Sequence, residues 1–176
     1  MKLSKILILM VRIWIKYVIM FITVILVQVL ILNQVQLSGY INPYFYLLFI
    51  LLMPVSTPRY AVLLFSFFLG LVVDIFSDTL GLHASATVLL GFFRSPVINL
   101  LSVRESDQPD FPGLKQNGLK WFLLYIVILV TVHHFWLFYL EVFTFYDFFR
   151  TFFRAVFSSV FTVFIITLSQ LLVFRE

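Results

Sequence analysis

Cysteine is absent from the 176 residues, which excludes disulfides, thiolate metal sites, cysteine nucleophiles and lipidation of a cysteine while leaving the redox compartment open. Charge is scarce: Asp, Glu, Lys and Arg make up 11% of the chain, against about 25% in an ordinary soluble domain. The sequence contains no nucleophile elbow, no phosphate-binding glycine loop and no pair of catalytic carboxylates, so a catalytic reading has no residues to rest on and no cofactor is expected. Internal repeats and low-complexity tracts are missing as well.

What is present is apolar surface. Hydrophobic residues account for 62% of the chain, more than one core can hide, and a bilayer is the solvent that accepts them. The expected fold is an all-α integral membrane protein, a single polytopic domain over residues 1–176 with about six transmembrane helices in one bundle. The formal charge of +4 does not point to nucleic acid, because the basic residues flank apolar runs instead of interleaving with exposed aromatics. Membrane lipids are the expected surroundings. Lys2 and Lys5 precede a long apolar run as in a signal peptide, but no small-residue cleavage site interrupts it before Leu32, so it reads as an uncleaved spanning helix.

Crossing about 30 Å of hydrocarbon takes about 20 helical residues. Runs of that kind lie at 11–32, 41–54, 60–77, 82–100, 120–140 and 152–173. The second is short and confined between Pro43 and Pro54, so it crosses only if Pro43 sits in a first turn and its end is kinked; a re-entrant segment is the alternative. Residues 101–119 form the substantial aqueous loop, with Pro109, Pro112, Gly113 and Gly118 as breakers between Ser102 and Gly118.

Lys and Arg hold loops in the cytoplasm. With six crossings, Lys2, Lys5, Arg12, Lys16, Arg59, Arg94, Arg104, Lys115, Lys120 and Arg175 fall on one side, and only Arg150 and Arg154 on the other. Both termini are therefore expected in the cytoplasm. Trp14, Tyr17, Tyr40, Tyr44, Tyr60, Trp121, Tyr139 and Tyr146 lie near span ends, as anchors at headgroup depth.

The third and fourth spans carry the unusual residues. Ser66, Gly70, Asp74 and Asp78 recur every four positions and form one helical stripe. A carboxylate inside a span costs about 2.5–3.5 kcal/mol, so Asp74 needs a protein partner or water. Ser77 to Gly81 make a tight turn, after which His83, Thr87, Gly91 and Arg94 share a facing stripe. Asp74 and His83 lie at similar depth and are placed to bond. Arg94 is about 16 Å deeper, beyond Asp74, and is expected at cytoplasmic headgroups or helix-end carbonyls. Two readings stand for this hairpin: a binding or proton-relay site, and a helix-packing seam closed by a polar clasp.

Elsewhere, His133 and His134 are adjacent, so their side chains diverge by about 100° and are not expected to share a metal. Thr131, His134 and Glu141 share a face expected to pack inward. Ser159, Thr162, Ser169 and Gln170 are expected to supply interhelical hydrogen bonds.

Pro54-Val-Ser-Thr-Pro58-Arg59, followed by Gly70-Leu-Val-Val-Asp74 and Leu80-Gly81-Leu82-His83-Ala84, resembles the bacterial rod shape-determining MreD family. The resemblance covers most of the chain in length, span number and order of landmarks, and about forty residues in motifs. It implies a non-enzymatic scaffold of the bacterial inner membrane, multi-pass, acting in the cell-elongation complex with MreC, MreB, RodA and a class B penicillin-binding transpeptidase during side-wall peptidoglycan synthesis. Carried over by position, its landmarks are Pro58, Arg59, Gly70, Asp74, Gly81, His83 and Ala84, with Arg94 as a further one; Asp78 departs from the pattern, since a small polar residue would serve there. The family's membrane fold is similar to the substrate-binding subunits of energy-coupling-factor transporters. A small-molecule (vitamin-type) binding subunit of a transporter is therefore the rival expectation.

Overall fold

The computed structural model describes residues 2–34, 40–102, 110–143 and 147–173, with side chains from Ile15 to Leu172 within those ranges. Arg104, Tyr146, Arg175 and the side chains of Lys2, Lys5, Arg12 and Trp14, which carry part of the orientation and anchoring expectations, lie outside the described residues.

Every regular element among the described residues is helical. The first helix, α1, spans Lys2–Val27 and continues through a π turn at Gln28–Leu32. A 3-10 turn at Phe45–Leu47 leads into the single turn α2, Leu48–Leu51; the long helices α3 (Arg59–Ser77), α4 (Leu82–Leu101), α5 (Leu114–Val142) and α6 (Phe148–Val173) complete the chain. Five helices are long and apolar enough to cross a membrane. Their distribution of polarity is the reverse of a soluble domain's. Gln28, Asp74, His83, Arg94, His133 and His134 are buried while Ile75, Phe92, Phe149 and Phe164 are exposed, the arrangement that hydrocarbon around the bundle demands. The chain is a multi-pass α-helical membrane protein.

The expected span at 41–54 is corrected. Helical turns cover only Phe45–Leu51, too few residues for a spanning helix. The segment is nevertheless not re-entrant. At one end the Asn42 amide donates to Ser158 Oγ (3.1 Å) and the Tyr44 amide to Thr162 Oγ1 (3.0 Å). At the other the Val55 amide donates to the Asp110 carbonyl (3.0 Å). In between, a Cβ on Gly113 would lie 3.7 Å from Gln170 and 4.0 Å from Leu52, so the segment follows α6 from Ser158 to about Gln170, roughly 18 Å of helix. It passes through the middle of the bundle: Tyr46, Leu47, Ile50 and Leu51 have no accessible surface. Proline at 43 and 54 removes two amides at its ends; the donors at its start, Asn42, Tyr44 and Phe45, find side chains, while Leu52 and Met53 donate to carbonyls of the short helical turn.

The five long helices surround this broken crossing. α1 and α3 run parallel, their ends joined by a hydrogen bond from Asn33 Nδ2 to Ser77 Oγ (3.1 Å). α4 packs between α3 and α5, and α5 against α6. The bundle thus has a hairpin end, at the α3–α4 turn, and a loop end near Asp110. The expected aqueous loop is shorter than 101–119, because Leu114 to Asn117 already form a helical turn. Asn117 Nδ2 donates to the Phe111 (3.0 Å) and Gly113 (2.8 Å) carbonyls there. Gly118, at φ 76° and ψ 165°, then breaks the helix, a conformation glycine adopts without steric penalty.

Candidate functional site

The α3–α4 hairpin is built around one carboxylate. Asp74 is 2% exposed, and its Oδ1 accepts from the His83 amide (3.0 Å) and the Thr79 hydroxyl (2.5 Å) while Oδ2 accepts from the Ala84 amide (2.9 Å). His83 Nδ1 lies 3.1 Å from the same Oδ1, so the expected pairing of Asp74 with His83 is made. The two amides belong to the first turn of α4, which has four orphan donors and the positive end of its dipole. Asp74 therefore caps α4 from the neighbouring helix. Thr79 Oγ1 is also 3.0 Å from His83 Nδ1. Both neighbours of that nitrogen are acceptors, which places the ring proton on Nδ1 and leaves Nε2 as the acceptor.

The small residues let this clasp close. A Cβ on Gly70 would stand 2.5 Å from Ala84 Cα and 2.7 Å from the His83 carbonyl, so α3 and α4 touch backbone to backbone. Gly91 receives the Ser66 side chain. Thr87 turns its hydroxyl onto the His83 carbonyl (2.6 Å) within its own helix. Gly81 and Asp78 occupy left-handed conformations, φ 80° and 53°, a region that glycine enters freely and aspartate more readily than most.

The structure does not bring all ten hairpin candidates together. Asp78 leaves the stripe: it ends α3 as an exposed turn residue. Arg59 starts α3 at the loop end, exposed and about 22 Å from Asp74 along the axis. Arg94 also faces away, but inward. It is 1% exposed, so it does not reach headgroups; its Nη2 donates to the Met53 carbonyl and to the Pro54 carbonyl (3.3 Å), where the broken crossing stops being helical.

Three other expectations are corrected. Tyr44 is no interfacial anchor; it is buried with its ring centroid 5.2 Å from that of His83 and 5.1 Å from that of His134. Glu141 does not pack inward: it is exposed at the hairpin end and paired with Arg154 (3.1 Å), whose guanidinium also lies over Phe138 (4.3 Å). Of the four polar residues in the last span, Thr162 bonds across helices, Ser169 bonds the Ile166 carbonyl of its own helix, and Ser159 Oγ and Gln170 Oε1 have no partner among the described residues.

Some residues carry more than their positions in the sequence suggest. Gln28 Oε1 accepts from the Phe45 amide (2.8 Å), and its Nε2 donates to the Pro43 carbonyl (3.1 Å) and Asn33 Oδ1 (2.9 Å). A carboxamide in the middle of the run Val-Ile-Leu-Val-Gln-Val-Leu-Ile-Leu is costly in lipid; that was the available signal, and the π turn that begins at Gln28 marks the same spot. Tyr46 Oη bonds His133 Nε2 (2.9 Å), and His134 Nε2 bonds Thr162 Oγ1 (3.1 Å). The two histidines thus serve different elements, and no group of three potential metal ligands occurs among the described residues.

At the hairpin end a cavity of about 330 Å³ opens between the end of α1, the broken crossing, α3, α4, α5 and α6, with Asn42, Tyr44, Phe76, His83, Glu141 and Arg154 in its wall. Comparison with family models, curated proteins and solved structures finds no match. A second, smaller space of about 190 Å³ between α5 and α6, beside Thr131 and Ser159, has a nearly all-apolar lining and offers a ligand little to bond.

Proposed function

We propose that this chain is a non-enzymatic scaffold subunit of the cell-elongation machinery in a bacterial inner membrane, with both termini in the cytoplasm, the loop end facing inward and the hairpin end outward. Its partners in this reading are MreC, MreB, RodA and a class B penicillin-binding transpeptidase, as the resemblance to the MreD family implies. The observation that carries the reading is how the landmark residues are used. Gly70, Asp74, His83 and Ala84 spend their polar and steric properties on each other, locking α3 to α4, and Arg94 seals the broken crossing. In ion-coupled transporters the carbonyls of an interrupted helix coordinate a mobile cation. Here the cation is a tethered side chain, which favours a rigid part over a carrier. The alternation of crossings supports the orientation, with Lys16, Arg59, Lys115 and Lys120 towards the loop end.

Co-purification of a tagged full-length chain from native membranes tests this. Recovery of wall-synthesis proteins, with cell widening on depletion, is the expected result. Recovery of an ATP-binding energising module, with normal cell width on depletion, would overturn it. The cavity favours one rival, a vitamin-type binding subunit of a transporter; saturable vitamin binding together with that module identifies it.

A further inference from the structure

The cavity at the hairpin end is large enough for a small ligand, since sites for such ligands begin at about 300 Å³. Its two charged wall residues, Glu141 and Arg154, neutralise one another at 3.1 Å. An anion would have to take Arg154 from Glu141, and a cation the reverse, so an uncharged ligand meets the least opposition. The groups left unengaged by the described residues are mixed in kind. His83 Nε2 is an acceptor, the carboxamides of Gln34 and Asn42 each donate and accept, and the Tyr44 hydroxyl does either. A hydroxyl group donates and accepts at once and fits any of them. The rings of Tyr44 and Phe76 and the side chain of Leu82 add apolar wall, against which the C–H faces of a ring or carbon chain can lie.

We propose that this cavity binds a neutral polyhydroxylated group, a single sugar ring or a short polyol, either free or carried as the headgroup of a lipid. The inference rests on the cavity and stands apart from the scaffold reading: partner recovery can fail while binding succeeds, and the reverse.

The test uses the purified full-length chain in detergent. Glucose, N-acetylglucosamine and glycerol are titrated by calorimetry, and monoglucosyl diacylglycerol and phosphatidylglycerol are compared by native mass spectrometry. Saturable millimolar or tighter binding of a free hydroxylated probe, or selective retention of the glucolipid, is expected; the first marks a free ligand and the second a lipid-borne one. Tyr44→Phe and Asn42→Ala each weaken the binding about three- to tenfold, the loss of one hydrogen bond, whereas Thr131→Val in the other cavity leaves it unchanged. Both site variants keep the backbone bonds that hold residues 42 to 44, so folding is preserved and is checked by an unaltered unfolding temperature. Absence of saturable binding, retention of phosphatidylglycerol over the glucolipid, binding of thiamine but no hydroxylated probe, or indifference to both site variants would each overturn the proposal.

Discussion

A buried carboxylate inside a membrane bundle is tolerable only while its oxygens are hydrogen-bonded, and Asp74 meets that demand on both oxygens through Thr79, His83 and the two amides that open α4. Asp74→Ala leaves the Thr79 hydroxyl and the His83 and Ala84 amides without an acceptor, with Thr79 alone still beside His83 Nδ1, and is expected to destabilise the protein by about 3 kcal/mol, read as a lower unfolding temperature in detergent. The two glycines differ in what they face. Gly70→Ala drives a methyl into the Ala84 backbone, which nothing can yield, and is expected to cost about 2–3 kcal/mol. Gly91→Ala presses on the Ser66 hydroxyl while Val62 stays at ordinary contact distance, so Ser66→Ala on the same chain restores most of the loss, a coupling of about 1 kcal/mol in a double-mutant cycle. The Asp74–His83 pairing was legible in the sequence because both residues sit within one turn of a tight hairpin. Tyr44 was not, since its nearness to Pro43 reads as an interface while its ring lies among three histidines brought in from distant elements.

At the scale of the element, the broken crossing depends on side chains from three neighbours. Gln28 of α1 holds the first amide of its helical turns, Ser158 and Thr162 of α6 hold its extended start, and Arg94 of α4 holds the carbonyls at its end. Gln28→Leu keeps the volume but removes the acceptor; it is expected to raise amide hydrogen exchange at Phe45 and Tyr46 by about tenfold, as one lost hydrogen bond does. Unchanged exchange there would assign the turn's stability to packing alone. Apolar periodicity finds the long helices because each has a lipid face and a bundle face, and α3 and α4 lie within one residue of their expected bounds. It fails for 41–54 for a physical reason. A segment buried on all sides is uniformly apolar whether helical or extended, and its conformation is written in polar residues of other helices. Of the two expectations for Arg94, carbonyls at a helix end are met and headgroups are not; which carbonyls was not legible, because they belong to a segment that no local pattern announces.

At the scale of the whole molecule, the described residues make six passages from end to end, five of them long helices and the second helical only over Phe45–Leu51. Because no native cysteine is present, single cysteines report their own side of the membrane. Ser56→Cys and Lys115→Cys are expected to react with an impermeant thiol reagent from the same side, and Asp78→Cys and Asp147→Cys from the other; labelling of Ser56→Cys and Asp78→Cys from one face would contradict the course of α3. Composition was enough for the class of fold. The architecture around the centre was not, because six roughly equal helices and five helices around an interrupted one have nearly the same hydropathy. That centre bears on how the chain is made. Ser158 and Thr162, which hold the entry to the second passage, are made more than a hundred residues after the amides they receive. The early segment therefore reaches its final place only once α6 has been made, and a nascent chain halted before α6 is expected to keep residues 42 to 44 open to proteolysis or to a chaperone of the insertion machinery.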